Sequence, residues 1–162
     1  MKLVQSLVFS NLDWCNSVYT GMPNSYLRPL QKILHSAVRL VIRMPRFSYN
    51  RITPVCINLH VLPIKARIKY KICVLTYKAL KYGQPTYLAE LLHYRDLNRS
   101  LRGGQSRLLF EPIVASSSYS NRCFEYSAPR MFNSLPLYVR QADNLIILII
   151  ELLKNIYFKR SL

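Results

Sequence analysis

Pro63-Ile64-Lys65-Ala66-Arg67-Ile68-Lys69-Tyr70-Lys71-Ile72-Cys73-Val74-Leu75-Thr76-Tyr77-Lys78-Ala79-Leu80-Lys81-Tyr82-Gly83 is the stretch that decides the fold class. Proline suits a first helical turn, where its missing N–H has no partner to lose, and glycine suits the position just past a helix end. Between them Ile64, Ile68, Ile72, Leu75 and Ala79 recur by threes and fours, which predicts a helix over 63–82 with one buried stripe. Arg67, Lys71, Lys78 and Lys81 gather on a second face, with Tyr70 and Tyr77 along the edge between them.

The same periodicity extends outward. Leu27, Leu30, Leu34, Ala37, Val38 and Val41 fall on one side of a helix expected over 27–44, capped by Asn24 or Ser25. Opposite them Arg28, Lys32, His35, Arg39 and Arg43 form a cationic row. Thr53-Pro54 reads as a cap followed by proline at the first position of a short helix to about His60. A first helix is expected over 2–19, stopped by Gly21 and Pro23, and another short one over 85–93.

Beyond His93 the texture changes. Residues 94–105 are polar and basic, 107–114 suit a short strand, and 115–120 a loop. A helix follows over 121–132, with Pro129 expected to kink or shorten it. Asp143 or Asn144 would cap a last helix to about Phe158. The expected fold is mainly α, a helical bundle with a small irregular or β segment around residues 94–120. Residues 1–93 form a basic helical region and 94–162 a C-terminal region.

The 162 residues suffice to bury a core, and half of them are hydrophobic, which argues against wholesale disorder. Lys and Arg number 23 against 7 Asp and Glu, a formal net charge of +16. Such a surplus points to a polyanionic partner, most often nucleic acid. Twelve of the cations lie between Asp13 and Glu90, where no acidic residue occurs. The four cysteines (Cys15, Cys56, Cys73, Cys123) stand far apart, and His35, His60 and His93 add no ligand spacing, so reduced thiols are expected and no metal or cofactor. The longest wholly apolar run, Leu145 to Ile150, is far below the roughly 20 residues of a membrane span. A soluble intracellular chain in nucleus or cytoplasm, not secreted, is expected.

Two strings carry a family likeness: Leu12-Asp13-Trp14-Cys15-Asn16-Ser17, closed by Gly21-Met22-Pro23, and Phe124-Glu125-Tyr126-Ser127-Ala128-Pro129-Arg130-Met131-Phe132-Asn133-Ser134-Leu135-Pro136. Between them stand Leu30-Gln31-Lys32 through Ala37-x-Arg39-Leu40, Thr53-Pro54, Leu59-His60-Val61-Leu62-Pro63-Ile64, Arg67-Ile68-x-Tyr70-Lys71 and Pro85-x-Tyr87-Leu88. This co-linear series resembles the region after the polymerase core in reverse transcriptases of jockey-like non-long-terminal-repeat retrotransposons. Trp14 stands where that family usually has Tyr, and Val61 and Phe132 where Trp is common.

The resemblance implies a thumb-like, non-catalytic fragment of an RNA-directed DNA polymerase encoded by a transposable element, whose catalytic core lies upstream. Two-metal phosphoryl transfer needs closely spaced carboxylates, and Asp13, Asp96 and Asp143 are isolated. No nucleophile elbow, phosphate loop or zinc-protease motif occurs either. The chain is thus expected not to be an enzyme. It would hold RNA or DNA non-specifically through Arg28, Lys32, Arg39, Arg43, Arg67, Lys71, Lys78 and Lys81, with Tyr70 and Tyr77 stacking on bases or riboses. No small-molecule substrate and no membrane is expected. Two alternatives stand beside this: a decayed remnant without molecular function, and a basic amphipathic module for a membrane surface or a partner helix.

Overall fold

In a computed structural model, which describes residues 2–45, 51–95, 108–113, 122–141, 144 and 146, the chain is mainly helical. In chain order come α1 (Lys2–Val4), a π-helical turn (Gln5–Phe9), α2 (Ser10–Asp13), a 3₁₀ turn (Asn16–Tyr19), α3 (Asn24–Val41) and α4 (Ile52–Asn58). They are followed by α5 (Ile64–Tyr82), α6 (Thr86–Ala89), α7 (Phe124–Asn133) and α8 (Leu137–Arg140). The residues group into two units, Met1–Ile68 and Lys69–Leu162, and α5 contributes to both.

In the first unit α3 packs against α4 and the π-helical turn. Leu27, Leu34, Ala37 and Val38 are buried, while Leu30 and Val41 are half-buried, so the apolar side is the one expected. The cap is not. Pro23 occupies the N-cap without a side-chain bond, and Asn24 and Ser25 lie inside the first turn. Pro29 sits in the second turn, where its missing N–H leaves the Ser25 carbonyl without its usual helical donor. In α4 the N-cap is Arg51, placing Thr53 and Pro54 within the first turn, where proline is still tolerated.

Both helices stop without glycine. After α3, Met44 N–H reaches the Arg39 carbonyl (2.9 Å) and Arg43 N–H reaches Leu40 (3.2 Å). After α4, Val61 N–H reaches Cys56 (2.8 Å) and His60 N–H reaches Ile57 (2.9 Å). These are Schellman closures, and they hold Arg43 (φ 54) and His60 (φ 53) in the left-handed region. A third such residue, Cys15 (φ 49), interrupts what reads in sequence as one helix over 2–19.

Two side chains tie α5 to the rest of the first unit. Gln31 Oε1 accepts the Ile64 N–H at 3.0 Å, satisfying a donor at the start of α5, while Gln31 Nε2 donates to His35 Nε2 at 2.7 Å. Arg67 Nη1 donates to Asp13 Oδ2 and its Nε to the Leu62 carbonyl (2.9 Å), and its guanidinium lies 4.8 Å from the Phe9 ring centroid.

In the second unit Ile72, Cys73, Thr76, Tyr77 and Ala79 of α5 are buried, so this helix is covered on more than one side. Gly83, at φ 63, ends it as expected. The helix expected over 85–93 shortens to the four residues of α6. Tyr94 and Leu109 form one antiparallel bridge, the described part of the β segment expected around residues 94–120; 96–107 and 114–120 lie outside the described residues. Asn133 holds that segment from α7: its Oδ1 accepts Leu109 N–H (2.9 Å) and its Nδ2 donates to Leu109 O (2.9 Å) and Glu111 Oε1 (2.8 Å). Pro129 is buried within α7 without ending it. Asn144 Oδ1 accepts Ile146 N–H at 3.0 Å; apart from these two residues, the helix expected from Asp143 or Asn144 to Phe158 lies outside the described residues.

Candidate nucleic-acid interface

Helical spacing sets the first row. On α3, Arg28, Lys32 and Arg39 step by four and seven residues, and Arg43 continues the step just past the helix end. Arg28, Lys32 and Arg43 are exposed and Arg39 is half-buried. The strained αL backbone at Arg43 turns the chain at the end of this row.

The row on α5 divides. Lys71, Lys78 and Lys81 are exposed, with Lys81 Nζ 5.7 Å from the Tyr77 ring centroid. Arg67 is not a free cation. Its guanidinium is held by Asp13, Leu62 and Phe9, leaving its side chain 12% exposed. Tyr77, at 4% exposure, is a core residue whose ring is covered, and Tyr70 is half-buried. Stacking from Tyr77 would require α5 to unpack. Helix spacing brings a different tyrosine to the lysine row: Tyr82, four residues from Lys78 and eleven from Lys71, is exposed. That spacing is visible in the sequence, but Tyr82 is not among the residues singled out there.

Asp13 is the one carboxylate in residues 1–89, and it is engaged with Arg67 and with Asn16 Nδ2 (3.3 Å). The cations of α3 thus receive no charge compensation from a carboxylate in residues 14–89. Within residues 14–89 this leaves a concentrated positive field, to which a polyanion is attracted.

Burial pushes the Cys73 thiol up to about 12, against a weaker downward pull from Lys69, so it stays protonated and inert at neutral pH. Cys56 is buried, and Cys15 and Cys123 are exposed. Among the described residues no three His, Cys, Asp or Glu side chains converge on a point that could hold a metal ion. No described helix is long and apolar enough to cross a membrane. Comparison with protein-family models, with curated proteins and with solved structures finds no match to this chain.

Proposed function

We propose that this chain binds nucleic acid non-specifically through phosphate contacts from Arg28, Lys32, Arg39 and Arg43, and from Lys71, Lys78 and Lys81. On this reading it is the non-catalytic, post-polymerase part of a jockey-like retrotransposon reverse transcriptase. The observation that carries the binding is the row on α3, exposed at three of four positions within a stretch that lacks any acidic residue from 14 to 89. The co-linear strings around Asp13-Trp14-Cys15 and Ser127-Ala128-Pro129-Arg130 support the parentage. Arg67 and Tyr77 serve the fold on this reading, and Tyr70 is a minor contributor.

Phosphate contacts position a protein without reading sequence, and they release counterions when formed. The three exposed cations of the α3 row alone predict an affinity loss to duplex DNA of roughly 40-fold between about 50 and 200 mM salt, and the α5 lysines steepen it. Fluorescence anisotropy with labelled DNA and RNA of scrambled sequence measures this. Replacing Arg28, Lys32 and Arg43 together with Gln is expected to weaken all sequences alike and to flatten the salt dependence by about one unit of slope per residue. Salt-independent binding, or an unaffected triple variant, sinks the binding proposal. The parentage is tested by sequencing the transcript upstream of Met1, where a continuous frame should encode a paired-aspartate polymerase core.

A further inference from the structure

One feature of α3 is left over by phosphate binding. Tyr26, Ile33 and Leu40, spaced seven residues apart, are 67%, 50% and 70% exposed. On a helix of 3.6 residues per turn they form one narrow ridge about 21 Å long, beside the cationic row and away from the buried side of Leu27, Leu34 and Val38. Three large apolar side chains in register are not the scattered exposure normal for a surface. A phosphate backbone offers no apolar area to cover Ile33 and Leu40.

The neighbours of the ridge say what would cover it. A coiled-coil seam carries apolar residues at both a and d of a heptad, and the ridge supplies one of those two rows to a second helix. If Tyr26, Ile33 and Leu40 take the a positions of a heptad, Pro29 and Ser36 fall at d, and both are exposed and short enough to let another helix approach. Lys32 and Arg39 fall at g, the flanking position where interhelical charge pairs select the partner. The other flank, at Leu30 and Ala37, is already half-buried or buried. A partner helix would therefore meet cations along its one solvent-side edge.

We propose that the Tyr26–Ile33–Leu40 ridge of α3 is a docking surface for an amphipathic helix of another protein, one that presents apolar residues at heptad spacing flanked by Glu or Asp. A second copy of this chain fits poorly, because the residues beside its ridge are cationic and each copy carries +16. A membrane surface fits poorly too. Interfacial helices use a broad apolar face, whereas the broad apolar face of α3 is buried and only the single-file ridge is free. The surface stands whether or not the chain binds nucleic acid.

The probe is a labelled synthetic peptide of about three heptads with Leu at a and d and Glu at e and g. Its controls are the same composition scrambled, and the heptad peptide with Lys in place of Glu. The full 162-residue chain is expected to bind the Glu heptad peptide and not the Lys peptide, with the scrambled peptide weaker by roughly tenfold. Ile33→Ser with Leu40→Ser, both at exposed sites, should weaken the Glu heptad peptide roughly tenfold or more while leaving DNA affinity within about twofold. Lys32→Glu should lower affinity for the Glu peptide and raise it for the Lys peptide. Equal binding of the scrambled peptide, or indifference to the Ser pair, would reduce the effect to bulk charge and overturn the proposal. So would a concentration-dependent dimer, or pelleting with anionic phosphatidylserine vesicles, that the Ser pair abolishes, since the ridge would then belong to a second copy or to lipid.

Discussion

The Cys73 thiol shows how a single buried group governs behaviour far from neutral pH. Its folded value is raised to about 12 by burial, against 9.0 for an unperturbed thiol. Between those values the unfolded chain releases this proton and the folded chain keeps it, so the folded form binds more protons and loses stability as pH rises. Below pH 9 the contribution is complete; through the window up to about 12 it falls by about 1.4 kcal/mol per pH unit. Tyr and Lys titrate in the same range, so the test is a difference: urea midpoints of the native chain and of Cys73→Ala from pH 8 to about 11. The gap between them should narrow with rising pH, and a constant gap would refute the assignment. The same scale marks the limit of reading a site from sequence. Exposed Arg28 and Lys32 are legible because helix spacing alone aligns them on α3, and it aligns Lys71 and Lys78 likewise on α5. Arg67 shares the spacing of Lys71 and Lys78, but its role depends on Asp13, a partner 54 positions away that no local pattern announces.

At the scale of elements, the helices were legible where punctuation and period agreed. Pro63 and Gly83 bracket α5, whose observed span begins one residue after the proline and ends one before the glycine. The ends of α3 and α4 carry no such mark, because Arg43 and His60 take the left-handed conformation that glycine usually supplies. Pro129 reads as a breaker, yet it lies in the second turn of α7 and removes a single bond. The burial of Tyr77 was hidden because α5 is covered on more than one side, which a single-stripe pattern cannot express. Arg43 turns this into a prediction. A non-glycine residue in αL costs about 1–2 kcal/mol, part of which glycine returns as unfolded-state entropy. Arg43→Gly should raise stability by about 0.5–1 kcal/mol, read from the urea midpoint, while lowering DNA affinity through the lost cation. Arg43→Ala should lower affinity equally without the gain in stability. If the two variants are equally stable, the strain at the end of α3 is not real.

On the scale of the whole molecule, most described structure is assembled from helices whose bonds span four residues, and a few side chains close much longer distances. Gln31 meets Ile64 across 33 residues and Asp13 meets Arg67 across 54, both within the first unit. Local helices form early, and long closures pay their entropy late in the transition. The ion pair is therefore expected to form on the native side of the folding barrier. Arg67→Ala removes charge-assisted bonds to Asp13 and Leu62 at a cost of about 1–3 kcal/mol. In stopped-flow kinetics that loss should appear almost wholly as faster unfolding, with the refolding arm unchanged and a φ-value near zero. A refolding arm slowed in proportion would place the pair in the nucleus instead. With the first outcome, Asp13 and Arg67 set how long the first unit persists once folded: a latch that closes after assembly and governs lifetime, with little say in how fast the native state is found.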